Sequence, residues 1–210
     1  MSNELCVCLS EGEILDRYSI LEIKLNELSD NRRLYIVNEL KDYERFNNII
    51  NKFLIYYKLL YYINKKIWDL QVTVKKIDKL NKNYASVCYD IHEYNQSRFR
   101  LKNIINNIAN SRFKEQKSYS ICENTVKISS DNLSQINSII YGIVLYDKIN
   151  IQFDKNISDK LKNRIMYLFP TLQVVEDSDK YIEINMENEN NTVLYKFIED
   201  ELSVLLNDKI

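Results

Sequence analysis

One arginine interrupts an otherwise apolar helix seam, and it is the residue best placed to do chemistry. Stepping by four and three, the seam runs through Val87, Ile91, Tyr94, Arg98, Leu101, Ile105 and Ile108. A guanidinium on such a seam needs a carboxylate or an anionic ligand, because burying its charge alone is costly. Two interpretations stay open: an ion pair with Asp16, Glu22 or Asp69, or a contact to a bound anion.

Further cations follow Arg98 along the chain. Residues 98–117 contain six Lys or Arg residues and a single acid, Glu115. A phosphate or nucleotide-sugar would suit this cluster, since Arg and Lys donate charge-assisted hydrogen bonds to phosphate oxygens. The candidate anion-binding residues are Arg98, Lys102, Lys114, Lys117 and Tyr119.

Carboxylates near the N-terminus form a second candidate cluster. Glu13 and Asp16 share one face of a predicted helix, and with Glu22 or Asp69 they offer oxygen ligands to a divalent cation. Ser10 and Glu13 also have the spacing of a helix capping box, which accounts for Glu13 without a metal. We therefore predict no metal and no cofactor. We expect instead a structural polar network of Ser10, Glu13, Asp16, Glu22, Asp69 and Asn95.

Side chains that usually carry catalysis are scarce. His92 is the only histidine, and the sequence has no P-loop, dinucleotide glycine motif, zincin pair or nucleophile elbow. His92 is one position off the seam, which predicts a surface or half-buried place rather than a general base. Cys6 and Cys8 are spaced as in some metal sites, but the sequence has no second cysteine pair, so we expect buried free thiols in a reducing compartment. We predict no catalytic residue, and whether the protein is an enzyme stays open.

The composition indicates which kinds of molecule the protein binds. The 210 residues carry a net charge of −1, with no secretory signal and no apolar run long enough to span a bilayer. We expect a cytoplasmic protein that binds no membrane. Near-zero net charge argues against nucleic acid as a partner, although several lysines lie between residues 75 and 82.

The chain is organised around the segment from Phe46 to Leu80. Two heptad rows in it are apolar throughout, one beginning at Phe46 and the other at Ile49, and no Gly or Pro interrupts them. This pattern predicts one coiled-coil-like helix that ends near Lys82 and is about 50 Å long at 1.5 Å per residue. Its middle is apolar almost all round, which predicts contact with more than one neighbouring helix.

The remaining elements give the fold class. Ser10 is the predicted N-cap of the first helix, a shorter helix follows Asn31, and residues 84–109 form another. After residue 110 the spacing of the apolar residues changes. Short strands are predicted at 125–129, 149–153, 172–175 and 181–186, and helices at 131–146, 156–168 and 191–207. We predict an α+β protein, with an antiparallel helical bundle at 1–119 and a small α/β lobe at 120–210. Residues 4–9 are predicted to be a strand that can join the small sheet.

Four blocks of sequence resemble an uncharacterised domain family of bacteria and large DNA viruses, often found beside glycosyltransferase domains. The blocks are Gly12 to Lys24, Ile67-Trp68-Asp69, Asn95 to Asn106 and Glu115 to Tyr119, so the resemblance covers residues 10–119. At two places this chain has Gln71, Val72 and Gln96 where that family tends to carry acids. The resemblance implies a role near glycan synthesis and names no activity.

Two functions follow from these observations. The first is a non-catalytic binding or assembly module with a protein partner or a homo-oligomeric state, accessory to glycan synthesis. The second is a transferase-like enzyme that binds a phosphate or nucleotide-sugar through Arg98, Lys102 and Lys117. A desolvated, paired Arg98 would favour the first, and an exposed concave basic pocket would favour the second.

Overall fold

The structure, a computed structural model, describes residues 7–116, 121–131, 135–176, 178, 181–182 and 189–202. The fold is α+β, mostly helical with one small parallel sheet. The chain divides into two compact units, Met1–Gln116 and Lys117–Ile210. The described part of the first unit is helical, and the described strands all belong to the second.

Five α-helices lie in the described part of the first unit. They are α1 (Glu11–Glu27), α2 (Arg32–Tyr43), α3 (Asn47–Lys52), α4 (Leu54–Val74) and α5 (Tyr84–Ile108), with a 3-10 turn at Glu44–Phe46. α1 contacts α2, α4 and α5, and α4 also packs along α5. The predicted N-cap of α1 is confirmed, because Ser10 Oγ accepts a hydrogen bond from the backbone N–H of Glu13 at 3.3 Å.

The single long helix predicted around Phe46–Leu80 is not what the structure shows. Phe53 separates α3 from α4, with φ −110° and ψ 30°. Its own N–H still bonds Ile49 O at 3.1 Å, and Tyr57 N–H bonds Phe53 O at 2.9 Å. The helix is therefore interrupted at Phe53, although these two backbone bonds are kept. The Phe53 side chain is buried at this interruption, so tertiary packing overrides a local sequence that contains neither Gly nor Pro.

The long segment also ends earlier than predicted, at Val74. Beyond it, Asp78 Oδ1 accepts from the Leu80 N–H at 2.8 Å, and Asn81 Oδ1 accepts from the Asn83 N–H at 2.9 Å. Short polar side chains that bond the backbone two residues on favour turns over helix. These turns connect α4 to α5, so the heptad pattern continues a few residues past the helix itself.

Helix α4 is the centre of the first unit. Five of the predicted seam residues are buried, one as its N-cap and four within it: Phe53, Tyr56, Leu60, Ile63 and Ile67. Other faces of the same turns are buried too, as expected for a helix with several neighbours. A second cluster fixes α2 against α1 through the buried side chains of Ile14, Leu21, Ile36 and Tyr43.

The second unit contains a three-stranded parallel sheet in the order β1-β2-β3. Its elements are β1 (Glu123–Ile128), α6 (Gln135–Leu145), β2 (Lys148–Phe153), α7 (Asp159–Leu168), β3 (Gln173–Val174) and α8 (Glu189–Phe197), followed by a π-helical turn at Ile198–Leu202. Helix α6 is buried almost throughout, which suits the continuous apolar run from Ile139 to Val144. The alternating strand and helix pattern of the sequence is thus present in this unit.

Two of the predicted strands lie only partly within the described residues. Residues 7–9 have no regular secondary structure, and residues 4–6 of that predicted strand lie outside the described residues. Of the predicted strand at 181–186, only residues 181–182 are described, and they are not assigned to a strand, although the Ile182 N–H donates to Thr125 O at 2.8 Å. Within the described residues, no helix combines the length and apolarity needed to cross a bilayer.

Candidate functional site

The buried carboxylate of Asp16 is the centre of the polar network in the first unit. Arg98 Nε donates to Asp16 Oδ1 at 2.7 Å, and Arg98 Nη2 donates to Oδ2 at 2.5 Å. The Asp16 side chain is 2% exposed, whereas that of Arg98 is 29% exposed. This two-point geometry joins α1 to α5 and fixes the plane of the guanidinium.

Asn64 of α4 completes the environment of Asp16. Its Nδ2 donates to Asp16 Oδ1 at 2.9 Å and to Ser19 Oγ at 2.8 Å. Ser19 Oγ in turn donates to the backbone O of Asp16 at 2.7 Å. Three helices therefore meet at one carboxylate, and this carboxylate accepts three hydrogen bonds, as its burial requires.

Lys102, one turn beyond Arg98, is enclosed by two other carboxylates. Its Nζ lies 2.6 Å from Glu13 Oε1 and 2.7 Å from Glu115 Oε2, and its side chain is only 9% exposed. The capping box predicts that the Glu13 carboxylate accepts a hydrogen bond from the backbone N–H of Ser10. In the structure this carboxylate contacts Lys102 instead, because the close approach of α5 brings the ammonium within reach.

That close approach depends on Gly12 at the start of α1. Its N–H donates to Asn106 Oδ1 at 2.8 Å. A Cβ on Gly12 would lie 2.6 Å from the backbone O of Lys102 and 2.8 Å from Asn106 Oδ1. Only glycine fits between these helices, and Asn106 supplies an acceptor to a free N–H of the first turn of α1.

Both cations keep their charge more firmly than usual. Hydrogen bonding to Asp16 raises the pKa of Arg98, against a smaller opposing effect of burial. Burial is the largest single influence on the pKa of Lys102 and lowers it. Hydrogen bonds to Glu115 and Glu13, with the negative charges of Asp16 and Glu13, together outweigh burial and leave that pKa raised. The two cations are thus held charged by carboxylates of the protein itself.

A small cleft opens beside this network, and we call it the Trp68 cleft. It has a volume of about 160 Å³ and is lined by Ile20, Ile23, Lys24, Asn64, Ile67, Trp68, Gln71 and Arg98. Helices α1, α4 and α5 all contribute. Trp68 is half-buried, so part of its indole lies at a wall of the cleft. None of these eight side chains is a carboxylate, hydroxyl, thiol or imidazole.

Several residues of the predicted network lie elsewhere. The Tyr57 hydroxyl donates to Glu22 Oε2, Asp69 pairs with Lys65 at 2.6 Å, and Asn95 Nδ2 donates to the backbone O of Ile91 at 2.8 Å. Asp16 is therefore the partner of Arg98 among the three candidates.

The predicted anion-binding cluster is likewise divided. Arg98 reaches the cleft, Lys102 is enclosed by acids, and Lys114 is exposed. Lys117 and Tyr119 lie outside the described residues.

Four residues that matter here were absent from the predicted sites: Ser19, Asn64, Asn106 and Glu115. Asn64 could have been identified from the sequence, because it is an amide within the most apolar part of α4. Asn106 and Gly12 appeared only as members of the resemblance blocks. Glu115 was counted as the lone acid of a basic run, and its role as a partner of Lys102 needs the three-dimensional path of residues 111–116.

Neither His92 nor any described cysteine is among the residues that line the Trp68 cleft. His92 is exposed on α5 and contacts Gln96 at 3.2 Å, which agrees with the surface place predicted for it. The expectation of buried thiols was wrong for Cys8, Cys88 and Cys122, which are all exposed, and for Cys88 the reason is its outward position on α5. Among the described residues, no group of three or more His, Cys, Asp or Glu side chains is placed to hold a metal ion.

Comparisons with protein-family models, with curated proteins and with solved structures found no match.

Proposed function

We propose that the first unit is a non-catalytic small-molecule binding module, and that the Trp68 cleft is its binding site. The observation that carries this proposal is the chemistry of the lining: two cations, two amides, an indole and three isoleucines. Such groups orient and enclose a ligand. General acid-base or nucleophilic catalysis would ask for a different set, such as a carboxylate, imidazole, hydroxyl or thiol facing the bound molecule.

The transferase-like alternative is less well supported by the geometry. It required Arg98, Lys102 and Lys117 to act together on a phosphate. Lys102 is instead enclosed by Glu13 and Glu115, so its positive charge is already balanced. An incoming phosphate would have to displace a carboxylate from a nearly buried ammonium, which costs more than binding to a free one.

The biological setting is a further part of the proposal. The resemblance of residues 10–119 favours a role accessory to glycan synthesis. From the composition and the helical periodicity we propose a cytoplasmic module built as an antiparallel bundle, working with a protein partner or as a homo-oligomer. The two roles are compatible, because a module that carries a small ligand can also assemble with an enzyme that acts on it.

A thermal-unfolding screen tests this function. Purified protein would be heated with inorganic phosphate, uridine diphosphate glucose as a nucleotide-sugar, monocarboxylates and neutral amides, since a ligand that binds only the native state raises the melting temperature. We expect at least one anion to do so and to be recovered chemically unchanged, as judged by NMR after prolonged incubation. Conversion of a ligand, or no shift with any anion, would contradict the proposal.

Isosteric charge changes locate the site in the same screen. Gln71→Glu introduces a carboxylate at the Trp68 cleft, and Asn48→Asp makes the same amide-to-acid change on the exposed start of α3. Both substitutions should alter the free energy of unfolding by less than about 0.5 kcal/mol, as is usual at surface positions. Only Gln71→Glu should reduce the anion-dependent shift. An equal reduction in both variants would place the binding elsewhere.

A further inference from the structure

We propose that the ligand of the Trp68 cleft is a small monocarboxylate that carries a single ring. This inference rests on the proposed binding function and adds the chemical class of the ligand. It follows from three features of the cleft: the donors that Arg98 has left, the charge of the lining, and the size and apolarity of the walls.

Arg98 is prepared for a planar acceptor. Its guanidinium has five N–H donors, and Asp16 takes one from Nε and one from Nη2. Three donors on the terminal nitrogens are therefore not used by Asp16. Because Asp16 fixes the plane of the guanidinium, these donors have a defined direction before any ligand arrives. A carboxylate matches that planar geometry, and preorganised donors lose little entropy on binding.

The charge of the cleft suits one negative charge rather than two. Asp16 balances the charge of Arg98, so the excess over neutrality comes from Lys24 alone among the lining residues. A monocarboxylate carries one negative charge at neutral pH. A phosphate monoester carries about 1.5 to 2, and its second charge would have no counterpart here. The electrostatic balance therefore favours a carboxylate over a phosphate.

The walls fit a single ring. Ile20, Ile23 and Ile67 provide apolar surface, and Trp68 adds a flat aromatic one. The volume of about 160 Å³ is close to that of cavities of roughly 150 Å³ that accept benzene. Sites that enclose larger ligands usually exceed about 300 Å³. A nucleotide-sugar is thus too large to be enclosed, whereas an aromatic acid can place its ring on Trp68 and its carboxylate on Arg98.

Trp68 makes the inference directly measurable, because it is the only tryptophan in the chain. Its fluorescence, excited selectively over tyrosine, should change saturably as benzoate is added, with a dissociation constant of roughly millimolar order for so small a ligand. Benzamide keeps the ring and loses the charge, while acetate keeps the charge and loses the ring. Each should bind at least about tenfold more weakly than benzoate, because each lacks one of the two contacts.

A matched pair of variants tests the charge argument without disturbing the Asp16 network. Lys24 and Lys41 are each the basic residue in the last turn of a helix, α1 and α2 respectively, and only Lys24 lines the cleft. Lys24→Gln should weaken benzoate binding by about threefold to tenfold. Lys41→Gln makes the same change at another helix end and should leave benzoate binding unaltered.

The outcomes separate this inference from the function on which it rests. Benzamide binding as tightly as benzoate, or equal effects of Lys24→Gln and Lys41→Gln, would overturn the carboxylate assignment. Saturable binding of inorganic phosphate or uridine diphosphate glucose with no response to benzoate would also overturn it, while leaving the binding module intact. If none of these probes changed Trp68 fluorescence or the melting temperature, both proposals would fall together.

Discussion

Replacing Arg98 by Met should destabilise the first unit strongly, for a reason that lies in Asp16 rather than in Arg98. The substitution keeps the apolar stem and removes the guanidinium. Asp16 is 2% exposed and would retain only the side chain of Asn64 as a hydrogen-bond donor to its carboxylate, out of the three bonds that now reach it. Leaving one partner of a buried pair uncompensated costs about 3–5 kcal/mol. Urea denaturation of the parent protein and of the Arg98→Met variant measures this loss of unfolding free energy.

The reverse change should cost less. Asp16→Asn removes the negative charge, but Arg98 is 29% exposed and can turn to water, so we expect a loss of about 1–3 kcal/mol. The double variant should be less destabilised than the sum of the two by about 1–3 kcal/mol, as expected for residues in direct contact.

Arg17 provides the matched control for Arg98. It donates from Nε and Nη2 to Glu39 at 2.9 and 2.7 Å, but this pair is much more exposed, with 59% of the Arg17 side chain and 36% of the Glu39 side chain accessible to solvent. Arg17→Met should cost no more than about 1 kcal/mol. The reasoning would be refuted if Arg98→Met cost as little as Arg17→Met, or if the two losses at Asp16 and Arg98 were simply additive.

Two further predictions concern close packing and capping, and both are checked by chemical denaturation. Gly12→Ala should destabilise the protein by about 1–3 kcal/mol, because the new Cβ would lie 2.6 Å from the backbone O of Lys102. Gly142→Ala should be milder, since the atom met at 2.6 Å is Cδ1 of Ile182, the end of a flexible side chain. Equal losses would contradict this difference. Ser10→Ala should cost about 1 kcal/mol through loss of the α1 cap, and a neutral result would remove the cap from the account.

Local sequence rules predicted some of this structure well. Ser10 at the start of α1, the helical periodicity of α5 and the alternating strands and helices of the second unit all depend on neighbouring residues, which the sequence displays directly. The interruption at Phe53 does not, because the neighbouring residues include neither Gly nor Pro to mark it. The end of α4 at Val74 could be predicted in part from the Asp and Asn residues that follow it. The heptad pattern continues past Val74, however, and it favoured a longer helix.

The candidate site was harder to predict because it depends on how helices align. A seam position was enough to show that Arg98 needs an anion, yet choosing Asp16 over Glu22 or Asp69 requires the register between α1 and α5. The partner of Glu13 likewise depends on how the helices align. Its spacing from Ser10 suggested a local bond, whereas the ammonium of Lys102, eighty-nine residues further along the chain, is its partner. The Trp68 cleft, built from three helices, has no local pattern at all.

The most direct test of the central claim is an intermolecular nuclear Overhauser spectrum of the protein with benzoate and, separately, with uridine diphosphate glucose. The indole N–H of Trp68 is unique in the chain, so its resonance is unambiguous. We predict contacts between the benzoate ring protons and both the Trp68 indole and the methyl groups of Ile20 and Ile67, with the spectrum of free benzoate unchanged over time. Contacts found only outside the Trp68 cleft, or none with either probe at high concentration, would contradict the account.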